Sequence, residues 1–283
     1  MNKVKFRKIW YGLSAKQRFL IRRLYFLPVD IFDSISGGRH KYVPPKGLIY
    51  TGYPANSEKF IQQGKLQLQT LIDNIDLRPN DALLDIGSGI GRTAIALTSF
   101  LNSQGSYDGF DVVKLGVDWC NSRLARDFSN FKFKYVPLYN DLYNSSKQKA
   151  ENFVFPYKAE SFDKIFSFSL FTHMQIEEIQ NYFKEISRVL KKDGLAFSTF
   201  FLYDENDEKQ IIDNGEYSFR VNKNGYKLMS DEVKAGNVAI NKLKLRKMLE
   251  AENLGIVKIV DGFWKSGNKS NEFQDIVVFK RID

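Results

Sequence analysis

A single cysteine, Cys120, is all the thiol chemistry in this 283-residue chain. That excludes an internal disulfide and any cysteine-built zinc cluster, no metal site is read, and a reducing cytoplasm fits best. Long apolar runs are missing as well. With no stretch of about 18 or more apolar residues, no segment reads as a membrane span. The charged N-terminus lacks an apolar core followed by a small-residue cleavage site, so no signal peptide is expected. A disordered composition is absent too: 43% of the residues are hydrophobic and 14% aromatic, as in ordinary globular proteins.

Acidic residues are scarce in one region only. Residues 1–46 hold eleven Lys or Arg against Asp30 and Asp33, a net charge of +9, and the rest of the chain carries 31 basic and 31 acidic residues. The basic character therefore belongs to an N-terminal extension, residues 1–46, and the body, residues 47–283, is neutral. A neutral body without a basic face argues against nucleic acid as a partner. Within the extension, Ser14 and Gln17 form a capping-box pattern, and Pro28 supplies a stop signal. Phe19, Leu20, Leu24 and Leu27 fall at helical spacing beside Arg18, Arg22 and Arg23. Two readings stand. The helix packs its apolar stripe on the body and shows its arginines to water, or residues 14–32 lie on an anionic membrane surface. Residues 36–47, rich in Gly and Pro, read as a loop.

From about residue 60 helices and strands alternate. FIQQGKLQLQTLIDNI predicts a helix, ALLDIG a buried strand and RTAIALTSFLNSQG a helix closed by Gly105. YDGFDVV is a strand, KLGVDWCNSRLARDF a helix and FKFKYVPL a strand. After a polar loop come the strand FDKIFSFSLF, the helix QIEEIQNYFKEISRVLKKDG with a Gly stop, and the strand LAFSTFFL. That alternation predicts a doubly wound parallel sheet covered on both faces. Residues 203–239 read as polar and irregular, and AINKLKLRKMLEAENLG as a helix. VKIVDGFW and FQDIVVFKR are joined by so short a loop, SGNKSNE, that they can only run antiparallel.

The glycines of LLDIGSGIGRTA, residues 83–94, sit where a first strand turns into its helix, the ligand end of an open α/β sheet. The dinucleotide spacing G-x-G-x-x-G/A fails from Gly87, where Arg92 intervenes, and passes from Gly89 through Gly91 and Ala94. A nicotinamide dinucleotide thus stays open, whereas a phosphate loop would need Gly-Lys-Ser/Thr. Asp85, just before the glycines, suits a ligand with positive charge and repels a pyrophosphate. Asp111, twenty residues after Gly91, ends the second strand, where an acid can take both ribose hydroxyls.

D-x-G-x-G-x-G, an acid ending strand two and an antiparallel last pair resemble the class I S-adenosylmethionine-dependent methyltransferases. GFDVVKLGVDWC, LYNDLYN, SFDKIFSFSLFTHM, EISRVLKKDG and TFFL are similar to a bacterial methyltransferase family with the pattern GFD…WC, YN..YN, FTHM and TFFL, over roughly residues 45–281. The resemblance implies a Rossmann-like seven-stranded sheet, mostly parallel with an antiparallel last strand, and S-adenosylmethionine as cofactor. The implied cofactor set is Asp85, Gly87, Ser88, Gly89 and Gly91 for the methionine end, Asp111 with Val112 for the ribose, and Ser169. The pattern departs at Pro137, where an acid is expected, and at Asn144-Ser145, where Asn-Pro is expected, so the adenine contacts fall to Asn140 or Asp141.

Methyl transfer from a sulfonium needs in-line positioning, and a base only when a hydroxyl acceptor must lose its proton. His173, just past the fourth strand, is placed to be that base. The competing reading is helix capping, with Thr172 as N-cap and Glu177 and Glu178 in the next turn. Cys120 within its helix, and Trp119, Phe166, Phe168 and Phe171, read as core. Tyr203, Tyr217 and Phe219 are candidates for an acceptor pocket. The stretch SLFT lacks the [DNS]-P-P-[YF] run of nucleobase amino methylation, and no cysteine is present there for pyrimidine carbon methylation. The reading is cytoplasmic O-methylation of a small-molecule, glycan or lipid-linked hydroxyl, with a peripheral place at the inner face of the membrane as the variant that the basic helix leaves open. A degenerate cofactor-binding protein and an NAD(P)-dependent oxidoreductase are the alternatives.

Overall fold

The computed structural model describes residues 10, 12–51, 56–231, 233, 236–265 and 272–282. Lys3, Lys5, Arg7 and Lys8 of the basic extension, and most of the loop between the last two strands, lie outside the described residues.

Among the described residues, ten strands and seven α-helices of known bounds build a Rossmann-like fold. Helix α1 (Ala15–Ile35) and α2 (Ser57–Ile75) precede β1 (Ala82–Ile86). Then follow α3 (Arg92–Leu97), β2 (Ser106–Asp111), α4 (Lys114–Cys120), β3 (Phe131–Tyr135), β4 (Phe162–Ser167), α5 (Ile176–Val189) and β5 (Leu190–Tyr203). The C-terminal part holds α6 (Glu208–Ile212), β6 (Val221–Lys223), β7 (Tyr226–Leu228), β8 (Val238–Asn241), α7 (Lys242–Glu250), β9 (Leu254–Val260) and β10 (Asp275–Arg281).

The seven expected strands stand in the order β3-β2-β1-β4-β5-β10-β9. The first five are parallel, and β10 runs antiparallel to both β5 and β9. One face is covered by α5 and α7 over a core that includes Phe110, Phe155, Phe171, Phe183 and Phe279. The other is covered by α2, α3 and α4 over Leu71, Leu83, Tyr107, Phe133 and Phe197. Tyr42, Val43 and Ile49 are buried in that second core, so the chain just after α1 is anchored there. Cys120, Phe166 and Phe171 are buried and Trp119 and Phe168 partly buried against it, as their apolar character leads one to expect.

Several boundaries differ from the sequence reading, each for a physical reason. Helix α1 has the expected capping box at Ser14 and Gln17 but runs straight through Pro28 to Ile35. Proline removes only its own N–H bond to residue 24, and Leu24 lies on the exposed side, where that loss is tolerable. Helix α5 ends at Val189, and Gly194 is a strand residue of β5 rather than a helix stop. Residues 203–239 are not irregular throughout. β6, β7 and β8 form a small antiparallel meander whose β8 pairs in parallel with Phe201–Tyr203 at the end of β5. Strands of three or four residues leave too few alternations to read. Buried Asp275 stitches this annex to the main sheet: its carboxylate accepts the Leu202 N–H at 2.6 Å, the Gly262 N–H at 2.8 Å and the Trp264 indole N–H at 2.7 Å.

Helix α1 lies with its polar side inward. Arg18 is buried and donates to the Leu142 carbonyl at 2.6 Å. Asp30 accepts the Lys46 and Gly47 N–H groups at 2.6 and 2.9 Å, and Asp33 pairs with Lys46 at 3.3 Å. Leu20, Leu24, Tyr25, Leu27, Ile31, Phe32 and Ile35 are exposed. The expectation that the apolar stripe packs on the body is therefore overturned. No helix among the described residues is long and apolar enough to cross a membrane.

Candidate active site

β1 ends on Asp85 and Ile86, and a turn through Gly87, Ser88 and Gly89 leads into α3, whose cap is Gly91. Gly89 has φ 59° and Gly91 φ 84°, left-handed backbone that suits glycine. At Gly91 a Cβ would also stand 2.7 Å from the Cys120 sulfur. The turn is tied to the next strand by hydrogen bonds from the Gly87 and Ser88 N–H groups to the Phe110 carbonyl at 2.9 and 3.1 Å. Gly89 N–H donates to Asp111 Oδ2 at 2.8 Å and Val113 N–H to Oδ1 at 2.7 Å. Parallel pairing of β1 with β2 sets Asp85 opposite Gly109, so both acids reach the same end of the sheet.

Both carboxylates are buried, Asp85 4% and Asp111 8% exposed. Burial pushes the Asp85 pKa up to about 7; the Tyr107 hydroxyl, which donates to Oδ2 at 2.6 Å, opposes the rise and the Asp111 charge adds to it. Burial likewise raises Asp111 to about 6, against the Val113 and Gly89 N–H groups and the nearby Tyr50 hydroxyl. Among the described residues neither carboxylate has a cationic side chain paired with it, and such acids kept from water favour an incoming cation. The Ser88 hydroxyl is buried at the same place with no hydrogen-bond partner among the described residues, and the buried Tyr50 hydroxyl has the Asp111 carboxylate beside it. A buried hydroxyl without a partner is costly, and a ligand rich in hydrogen-bonding groups would relieve that cost. The turn, its acids and these hydroxyls thus fit a nucleoside that carries an ammonium and ribose hydroxyls.

The polar loop after β3 bridges the neighbouring strand ends. Asn144 donates to the Val112 carbonyl beyond β2 at 2.8 Å, and Asn140 donates to the His173 carbonyl beyond β4 at 3.2 Å. The Asn140 side-chain oxygen accepts the Leu142 N–H at 3.0 Å, so Asn140 braces the loop at both ends. Asp141 is partly exposed, and its carbonyl, like that of Leu142, faces Arg18. His173 lies in a short 3-10 turn, partly exposed, with its ring edge-on to Tyr143 at 6.2 Å. Tyr143 stands 6.1 Å from the Tyr50 ring, which Phe19 of α1 meets at 5.6 Å. An aromatic chain therefore links α1, the β2 end and His173. The cap of α5 is Gln175, boxed with Glu178, so the expected Thr172 cap is corrected; Thr172 donates to the Ser169 carbonyl instead, at 3.0 Å.

Ser169 is exposed, in a left-handed conformation with φ 55°. Its N–H donates to Thr199 Oγ1 at 2.7 Å, and both hydroxyls contact Gln274 Oε1 at 2.7 and 2.8 Å. The structure thus ties Ser169 to the β5 and β10 end. Tyr203 and Phe219 are buried in an annex core with Phe201 and Trp264, with Tyr217 packed beside them. Tyr203 and Phe219 thus help to pack the annex, with Tyr217 at its edge. Tyr50, Tyr107 and Tyr143 were not singled out from the sequence, and Arg18 was read only as part of the basic helix. They act across 22 to 124 positions, and no local spacing marks such partners.

Residues 84–198 match the family model of a methyltransferase domain. A protein of Haemophilus influenzae, itself uncharacterized, is 25% identical over 218 residues, 73% of this chain and 81% of its own. Among solved structures, a Pyrococcus horikoshii protein superposes with a TM-score of 0.53 at 14% identity over 80% of this chain and 92% of its own. The CcbJ methyltransferase of Streptomyces caelestis does so with 0.51 at 10% identity over 79% and 90%. Likeness at such identity speaks for the fold. Together the matches support a methyltransferase domain on this fold; they do not favour the oxidoreductase alternative. They reach the class and not the narrower bacterial pattern.

Proposed function

We propose that the protein is an S-adenosylmethionine-dependent O-methyltransferase acting on a small-molecule, glycan or lipid-linked hydroxyl. The observation that carries the cofactor part is the convergence of two buried, unpaired carboxylates, Asp85 and Asp111, on one glycine turn. In this reading Asp85 with Gly87, Ser88, Gly89 and Gly91 holds the methionine end, its negative charge meeting the ammonium. Asp111 and the Tyr50 hydroxyl take the ribose, and Val112, Asn140 and Asp141 border the adenine, with Ser169 at the β4 end. When bound, the cofactor supplies an activated methyl group together with its own leaving group.

The chain's part is then positioning and proton handling. His173, partly exposed beyond β4, takes the proton from the acceptor hydroxyl as the oxygen becomes the nucleophile. Tyr143 against the ring and Asn140 on the backbone carbonyl keep it in place. General-base help of this kind is worth about 10²–10⁴ in rate. The test is transfer of labelled methyl from S-adenosylmethionine to hydroxylated metabolites and envelope extracts, with His173→Gln beside the wild type. Label in a hydroxyl product, with a lowered kcat and unchanged cofactor affinity in the variant, supports the reading. Transfer at an undiminished rate in the variant removes His173 as base, and cofactor binding with no transfer to any acceptor favours a binding protein.

A further inference from the structure

The polarity of α1 is inverted relative to its fold. Arg18, Asp30 and Asp33 face the body and are engaged there, whereas Leu24, Tyr25, Phe32 and Ile35 are 59%, 77%, 69% and 82% exposed. On a helical projection Gln17, Leu20, Ile21, Leu24, Leu27, Pro28, Ile31 and Ile35 form the outer face, with Tyr25 and Phe32 along one side. None of these carries a charge. Lys16 and Arg23, both exposed, lie along the other side. Over 21 residues the stripe is about 32 Å long, too large and continuous to be the scattered apolar exposure of a normal surface.

We propose that this face docks on an anionic lipid surface. Charge complementarity selects that occupant. Both acidic residues of the basic extension point into the body, so toward the outside the helix offers only apolar side chains edged by cations. Lysine and arginine stems lie along apolar surface while their heads reach lipid phosphates. A second copy of the chain would cover the same stripe but would bring two segments of net charge +9 against each other, a repulsive arrangement. The inner side of the same helix touches the loop that braces His173 directly through Arg18 on Leu142, and indirectly through Phe19 on Tyr50, whose ring meets Tyr143 of that loop. Docking therefore sets the base beside the headgroup layer and favours an acceptor whose hydroxyl belongs to a lipid or lipid-linked sugar. That last step rests on the methyltransferase reading; the docking does not.

The experiment is sedimentation of the full-length protein with vesicles of phosphatidylcholine and 30% phosphatidylserine (roughly the charge of an anionic leaflet), and with vesicles of phosphatidylcholine alone. The variants are Leu24→Gln with Ile31→Gln, and, as a control on another exposed leucine, Leu66→Gln in α2. Thermal melting and calorimetric titration with S-adenosylhomocysteine on each variant report folding and cofactor binding separately. Expected are binding of the wild type and the control to anionic vesicles, binding to neutral vesicles at least about tenfold weaker, and a loss of about tenfold or more in the double variant, with melting unchanged. A wild type that stays in the supernatant, or a double variant that sediments like the wild type, overturns the proposal. So does a wild-type dimer in analytical ultracentrifugation that the double variant dissociates, since the second copy is then the occupant. Vesicle binding without S-adenosylhomocysteine binding keeps the docking and removes the methyltransferase reading.

Discussion

Replacing Asp85 by Asn should make the protein more stable and its pocket worse. The carboxylate is buried and its pKa is raised from 3.8 to about 7. An acid whose folded pKa lies above its unfolded value favours folding fully only below about pH 4, and that contribution is lost as the pH rises through about 7. Burying the group then costs about 4 kcal/mol at pH 8, where it is ionised, and about 2 kcal/mol at pH 5.5, where folding must protonate it. Asparagine keeps an acceptor for the Tyr107 hydroxyl and carries no charge, but its amide hydrogens lack a known partner, which costs about 1–3 kcal/mol. The net gain at pH 8 is roughly 1–3 kcal/mol. That corresponds to a rise in Tm of several degrees, at about 2–4 °C per kcal/mol, and at pH 5.5 the advantage shrinks or reverses. Binding moves the other way. Where the ligand ammonium needs the ionised acid, wild-type affinity for S-adenosylhomocysteine falls about tenfold from pH 8 to pH 6. Asp85→Asn binds about 10–100-fold more weakly with a flatter profile over that range. Differential scanning fluorimetry and calorimetric titration across pH 5.5–8.5 read both. A variant that melts no higher at pH 8 and binds S-adenosylhomocysteine with the wild-type pH profile would refute the reasoning that Asp85 is a buried anion held for a cation.

Three further perturbations address other parts of the account. Tyr107→Phe removes the one hydrogen bond that holds the Asp85 pKa down, so the midpoint of the binding profile should move to higher pH; an unmoved midpoint contradicts it. Gly91→Ala forces a left-handed φ of 84° on a residue whose Cβ meets the Cys120 sulfur, and should lower stability by about 1–3 kcal/mol in urea unfolding. Glu185 is buried, accepts the Phe155 N–H at 2.7 Å and is paired with Arg188, so Glu185→Ala should cost about 3 kcal/mol or more without changing cofactor affinity once folded; a cost below 1 kcal/mol would show that the pair is immaterial.

The strands of the main sheet were legible because apolar runs such as ALLDIG are bounded by glycine and proline and alternate with helices of sufficient length. The place of Asp85 and Asp111 followed from that alternation, since each acid ends a strand and parallel neighbours end together. The annex was illegible because β6, β7 and β8 are held by their pairing with the distant end of β5 and with one another, not by local pattern. Pro28 misled as a stop signal, because a proline on an exposed helix face costs one hydrogen bond and nothing in packing. The orientation of α1 was open for a different reason. Amphipathic spacing shows that two faces differ, and only contacts such as Arg18 with Leu142 show which of them turns inward. Tyr50 escaped notice because it lies 61 positions from Asp111, between the loop read over residues 36–47 and the first helix of the alternation, where no element was assigned.

The central claim is that the ends of β1 and β2 form one pocket for a cationic nucleoside. Calorimetric titration of the wild type with S-adenosylhomocysteine and with NADPH at pH 7.5, repeated on Asp111→Asn, tests it most directly. Saturable binding of S-adenosylhomocysteine alone, weakened in the variant, is the predicted result. Binding of NADPH with no response to S-adenosylhomocysteine would contradict it.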